Sequence, residues 1–290
     1  LSRKGISTRL TALLLIFIVL AAFLPLPGIA VPDQNRRLLI LFTHDLHSHF
    51  DPNKVVNEQG EVVLLGGLAR LAAIIEREKA ANPGRVVVVD AGDFSMGTLI
   101  HTLFRTEAAE LRLMGKMGYD AAAIGNHELD FDSSGLASML TAAKESGDPL
   151  PQLVAANIRV KQDLAHQSSL NQALDSFPVQ PYTVIEKSGI RVGIFGLFGR
   201  SATRDLIWDE DIQVEDQVAT AREIVKQLRE KEKVDLIVCL SHSGTQTEGD
   251  SEDERLAEAV PEIDFIVSGH SHTILHQPII KGNTIIGSAG

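Results

Sequence analysis

At 290 residues, 44% hydrophobic and 22% charged, the chain is long enough for one large or two modest domains with a sizeable core and no cross-links. A net charge of −11 excludes a surface built to hold a nucleic-acid polymer, which needs a basic patch, but leaves small phosphate esters open if cations supply positive charge locally. The single cysteine, Cys239, rules out an internal disulfide and reads as a buried position in the apolar run DLIVCLSH.

In chain order, Arg3, Lys4 and Arg9 precede the run LTALLLIFIVLAAFL and then a small-residue segment, the pattern of an export signal over residues 1–30 cleaved after Ala30. The run is shorter than the roughly 20 residues of a membrane span, so an uncleaved anchor is the secondary reading. No cysteine lies near the cleavage point to carry a lipid. Export implies a periplasmic or extracellular location, with membrane contact only through such an anchor. Short β-type runs follow at 38–42, 85–89, 120–124, 235–240 and 264–267, with helical patterns at 68–80, 106–118 and 218–233 between them. That alternation predicts an α/β fold with a largely parallel sheet. Residues 182–197 read as two antiparallel strands about a Ser-Gly turn, and 159–178 as a polar loop or insertion. The final run NTIIGSAG is strand-like, which suggests that the catalytic unit, residues 31–290, is truncated at its C-terminal end.

Each of the five strand runs leads into the same chemistry. Asp45 and His47 follow the first, Asp93 the second, Asn126 and His127 the third, His242 the fourth, and His270 and His272 the fifth. Ligands in open α/β sheets sit beyond the carboxyl ends of the strands, so these residues are predicted to converge. Polar residues commonly follow strands, which accounts for one or two such cases but not for five. Alternation in extended chain puts Asp45 and His47 on one side and His44 on the other, so His44 is read as a packed or hydrogen-bonded supporting group. His49 shares the parity of Asp45 and His47 but lies further into the loop and is read as a surface or supporting group. The same parity puts His270 and His272 together. Imidazole, carboxylate and amide without thiolate suit a catalytic Mn, Fe or Zn site, and seven candidates exceed what one four-coordinate ion uses. Two ions sharing a carboxylate would use them all.

The motifs DLH, GDFSMG, GNHELD, SHSG and GHSH, in this order and spacing, resemble the calcineurin-like metallophosphoesterases. Within them the likeness is to the secreted 5′-nucleotidase and 2′,3′-cyclic-nucleotide phosphodiesterase branch, and it runs from about residue 37 to the end. The resemblance implies an α/β/β/α sandwich of mixed, largely parallel sheets flanked by helices. It implies one divalent metal on Asp45, His47, Asp93 and His272, and a second on Asp93, Asn126, His242 and His270. His127 would act on the phosphoryl or leaving oxygen, with Asn126 helping to hold that group and Asp130 orienting the imidazole. The alternative for Asp130 is a helix N-cap. The last ligand position, His272, varies in this branch, where an amide side chain also occurs. A C-terminal domain that reads the nucleoside usually follows in such enzymes, and this chain ends before one.

The implied activity is hydrolysis of nucleotide monoesters by in-line attack of a metal-bound hydroxide. Cyclic nucleotides, nucleotide sugars and a sulfur-bonded sulfonate are alternative substrates for the same site. A non-catalytic metal-binding surface module is the other class, and the presence of Asp93, His127 and Asp130 counts against it. His101, His166 and His276 are read as surface or loop residues, and the acids of 248–254 as a solvated loop leading into a helix. The Gly-Gly of 66–70 reads as a helix start that could approach the site.

Overall fold

The computed structural model describes residues 36–160, 169–177, 179–206, 212–247 and 250–290; the leader read in residues 1–30, and His166, lie outside them. In chain order the strands are β1 (Leu39–Thr43), β2 (Asn53–Val56), β3 (Val62–Leu65), β4 (Val86–Asp90), β5 (Ala121–Ala123), β6 (Gln152–Val154) and β7 (Ile158–Val160). They continue as β8 (Tyr182–Lys187), β9 (Ile190–Phe198), β10 (Ile212–Val214), β11 (Leu236–His242), β12 (Phe265–Ser268), β13 (Ile279–Lys281) and β14 (Thr284–Gly287). One sheet is wholly parallel, in the order β1-β4-β5-β6. The other has the order β13-β14-β12-β11-β9-β8, parallel in its centre and antiparallel at both edges.

The apolar runs are continuous because both faces of each central strand are covered. In β4, Val86 and Val88 join helical Ile75, Leu111, Met114 and Met139 on one face. Val87 and Val89 meet Val192, Ile194, Val238 and Leu240 of the other sheet. In β11 the pattern is mirrored: Val238 and Leu240 face the first sheet, while Ile237 and Cys239 pack on Ile224, Leu228 and Leu256. The layer order is therefore α/β/β/α, as the family resemblance implied. Each fully buried valine contributes about 1.5–3 kcal/mol, so the interface between the sheets holds the layers firmly. The sheets approach tightly at Gly196, where a Cβ would lie 2.1 Å from Val154 O.

Several local expectations need correction. The helix expected over 106–118 is two, Phe104–Glu107 and Ala109–Met117, divided at Ala108, which has φ +46°. The segment 159–178 is not a plain loop: it contains the end of β7, paired antiparallel with β10, and the helix Ser169–Ser176, whose Leu170 and Ala173 are buried. Apolar side chains spaced along a polar helix drew it onto the core. The acids near 250 are not all solvated. Asp253 and Glu254, in the helix Glu252–Ala259, are buried, and the Ser241 hydroxyl donates to Asp253 Oδ1 at 2.6 Å. Gly67 starts the helix Leu68–Ala81 at φ +85°, close against Phe50 and Pro52. The hairpin β8-β9 turns at Ser188 and Gly189, both left-handed, and Cys239 is fully buried. No helix among the described residues is long and apolar enough to cross a membrane.

Candidate metal centre

The centre is built where the ends of both sheets meet. Past β1 and β4 the backbones stay paired: Ala91 N–H donates to Thr43 O, Asp45 N–H to Gly92 O and His47 N–H to Asp93 O, at 2.9–3.0 Å. Within this pairing Asp45, His47 and Asp93 have φ of +52°, +47° and +55°. On the second sheet His270 and His272 have φ of +74° and +49°. Five functional candidates thus occupy the left-handed region, which costs non-glycine residues energy and persists only where surroundings enforce it. Asp45 and His47 do share a side, as expected, but through these left-handed turns and not through extended alternation. His270 and His272, two residues apart, enter different ligand groups.

Three groups of side chains converge. Asp45, His47 and His272 form one, Asp93, His242 and His270 another, and His47, Asp93 and His127 a third, with ligand atoms inside each group within 4.8 Å of one another. In the first, His47 Nε2 and His272 Nε2 are 2.9 Å apart, and His272 Nε2 is 3.5 Å from Asp45 Oδ1. In the second, His242 Nε2 lies 3.1 Å from both Asp93 Oδ2 and Asn126 Oδ1, and His270 Nδ1 is 3.1 Å from the same Asn126 oxygen. His242 Nδ1–H donates to Ala91 O at 2.8 Å, so a neutral His242 turns a lone pair toward two oxygens. Such a cluster of acceptors needs a proton or a cation at its centre. Burial opposes the charged imidazole, but Asp93 outweighs it and raises His242 to about 10. Burial likewise works against the Asp93 carboxylate, and His242 overcomes it, holding Asp93 low at about 2. A divalent cation fits the same donor set. The buried His47 Nδ1, without a partner, marks a further unsatisfied nitrogen there.

Small residues make room for these groups. A Cβ on Gly125 would lie 2.2 Å from Asp93 Oδ1, and one on Gly92, at φ +92°, would lie 2.7 Å from Gly125 N. His44, buried and 2.5 Å from Asp45 Oδ2 through Nδ1, accepts from Ala289 N–H through Nε2 at 2.6 Å. Its supporting place matches the expectation. His49 Nδ1 lies 2.9 Å from His47 O and does not enter the cluster.

His127 N–H donates to Asp93 Oδ1 at 2.9 Å, and its Nδ1 lies 3.1 and 3.0 Å from the two oxygens of Asp130. Burial lowers the imidazole's pKa, but Asp130 and then Asp93 outweigh it, so His127 is raised. The helix that follows starts at Asp132, whose Oδ1 accepts from Ser134 N–H at 2.7 Å, so Asp130 is not spent as its cap. Sequence reasoning missed Glu128. It is wholly buried, and its Oε2 accepts from Asp93 N–H (2.9 Å) and Gly125 N–H (2.7 Å). Its Oε1 accepts from Ser95 N–H (3.0 Å) and Ser95 Oγ–H (2.8 Å). One carboxylate therefore ties the loop bearing Asp93 to the loop bearing Asn126 and His127. An acid between a histidine and a leucine, just after a glycine turn, was the available signal. His101, read as a surface or loop residue, lies in the 3-10 turn Leu99–Leu103 but is not a surface group: its side chain is only 13% exposed and stacks on Phe131, beside Asp130. His276 is exposed, as expected.

A family model described as calcineurin-like phosphoesterase matches residues 38–273. The chain is 34% identical to the 5′-nucleotidase of Bos taurus over 82% of its own length and 38% of that protein. It is 28% identical to the trifunctional nucleotide phosphoesterase protein YfkN of Bacillus subtilis over 87% of its length and 17% of that protein. The crystal structure of the 5′-nucleotidase precursor from Thermus thermophilus superposes with a TM-score of 0.72 at 28% identity, over 87% of this chain and 48% of that one. The chain spans well under half the length of the curated relatives it matches. On the family match and the shared fold together, the chain belongs to the calcineurin-like phosphoesterases.

Proposed function

We propose that this chain is the catalytic unit of an exported, two-metal phosphoesterase that hydrolyses nucleotide monoesters. The observation that carries the reading is the convergence of Asp45, His47 and His272 on one side and Asp93, His242 and His270 on the other, with Asp93 between them and Asn126 completing the second group. Asp45, His47, Asp93 and His272 would hold one divalent ion, and Asp93, Asn126, His242 and His270 the other. Bound there, Mn, Fe or Zn would lower the pKa of a water and screen the charge of the phosphoryl oxygens. His242 keeps Nε2 available because Ala91 O takes its other proton. His127, held by Asp130, presents Nε2 on the Asp93 side, 3.9 Å from Asp93 Oδ2, where it can donate to a phosphoryl or leaving oxygen. The named nucleotidase relatives support the substrate class. Export rests on the sequence of residues 1–30.

The test is phosphate release from 5′-AMP by the chain supplied with Mn²⁺, beside Asp93→Asn. Release by the parent chain should vanish in the variant, with bound metal falling from two equivalents. A folded parent chain that binds metal and releases no phosphate would refute the nucleotide-monoesterase reading.

A further inference from the structure

His101 takes no part in the function proposed above, yet it is built into the ground beneath it. It lies in the 3-10 turn Leu99–Leu103, with its ring 4.8 Å from that of Phe131 and 18° from parallel, and 5.4 Å from that of Phe104. Met96 N–H donates to His101 Nδ1 at 3.1 Å. A backbone amide offers only its proton, so Nδ1 keeps its lone pair and the ring proton sits on Nε2. That Nε2 faces Asp130 Oδ2 at 3.9 Å, while His127 Nδ1 lies 3.1 and 3.0 Å from Oδ1 and Oδ2 of the same carboxylate. The stack on Phe131, the residue next to Asp130, allows the ring little freedom to turn away.

We propose that His101 is a positioning residue for Asp130: it presents the Nε2 proton to the carboxylate that holds His127, and so fixes the direction in which His127 meets the leaving oxygen. The proposal rests on the phosphoesterase reading of the centre. At 3.9 Å the contact is electrostatic, and a shift of about 1 Å on substrate binding makes it a hydrogen bond, as catalytic contacts often tighten only in the complex. Asp130 is partly exposed, so without His101 water would face Oδ2 and leave the carboxylate freer to swing. An unaligned His127 matters most for esters whose leaving alkoxide must gain a proton, and least for activated aryl esters that leave unaided.

Two variants separate this from a packing role. His101→Phe keeps the ring and its stack but has no proton for Asp130. His101→Gln loses the stack but returns an N–H donor near the Nε2 position. Both would be compared with the parent chain in Mn²⁺ on 5′-AMP and on p-nitrophenyl phosphate, with circular dichroism to confirm folding. Expected for His101→Phe is a fall in kcat of about tenfold on 5′-AMP at unchanged KM, the size of an outer-shell effect, with less than about twofold change on the aryl ester. His101→Gln should recover most of the 5′-AMP rate. Equal losses on both esters, or His101→Gln slower than His101→Phe, would overturn the proposal. A parent chain inactive on both esters would instead sink the phosphoesterase reading beneath it.

Discussion

Glu128→Gln tests how much of the centre one buried side chain holds. The carboxylate accepts four hydrogen bonds, two on each oxygen. Glutamine has a single acceptor oxygen, so one of these edges becomes a donor facing donors. With its NH₂ toward Ser95, the Ser95 hydroxyl can turn to accept and one backbone N–H is stranded; with its NH₂ toward Asp93 and Gly125, two are. The cheaper orientation leaves one unpaired buried donor, which costs about 1–3 kcal/mol. The surviving bonds weaken as the charge goes, but relief from burying that charge offsets part of the loss. Glu128→Ala strands the three backbone donors, leaves the Ser95 hydroxyl to His127 O at 3.2 Å and opens a cavity, for about 4 kcal/mol or more. For a domain of this size the glutamine variant should melt roughly 3–10 °C lower. Thermal unfolding in excess chelator isolates this from any effect of bound metal, and titration with Mn²⁺ then reports how far Asp93 has moved. Melting within about 1 °C of the parent chain, with Mn²⁺ affinity unchanged, would refute the account of Glu128 as the tie between the two loops.

Asp253 gives a pH test. Burial raises this carboxyl to about 7, so between about pH 4 and 7 the folded chain keeps a proton that the unfolded chain has released. The stabilisation is complete below the unfolded pKa and is lost as pH rises through 7, by up to roughly 4 kcal/mol. Asp253→Asn retains the acceptor for Ser241 and should gain on the parent chain in urea melts between about pH 5 and pH 8; parallel curves would sink the idea. Gly125→Ala should abolish high-affinity metal binding and destabilise the fold by about 1–3 kcal/mol, because its Cβ would lie 2.2 Å from Asp93 Oδ1. Normal metal stoichiometry in that variant, by elemental analysis, would show that the loop can yield.

The layers and the centre were legible for one reason: continuous β-branched runs such as Val86–Val89 are unambiguous, and each ends in a chemically unusual residue. Five such ends declare a common site without any knowledge of how the strands are ordered. What stayed hidden depends on contacts between distant segments. Nothing local to Ala108 announces a left-handed break in an otherwise good helical pattern. The β7-β10 ribbon pairs Val160 with Ile212, partners that no period in the sequence connects. Glu128 and His101 were passed over because a lone acid or histidine is usually a surface residue, and only burial and facing partners distinguish these two. Parity arguments reached the right pair at Asp45 and His47 by the wrong route, since alternation fails wherever the backbone leaves the extended region.

The left-handed backbone at Asp45, His47, Asp93, His270 and His272 bears on how this protein would respond to engineering for heat resistance. At such positions glycine relieves a left-handed cost of about 1–2 kcal/mol, offset in part by its greater freedom in the unfolded chain. A library sorted on folding alone, in the presence of a chelator, would therefore drift toward replacing the very side chains that face the cations. Its most robust members would be well-formed sandwiches with nothing left to hold a metal. Selection that couples survival to metal retention would instead leave those five positions alone and improve the valine-rich seam between the sheets.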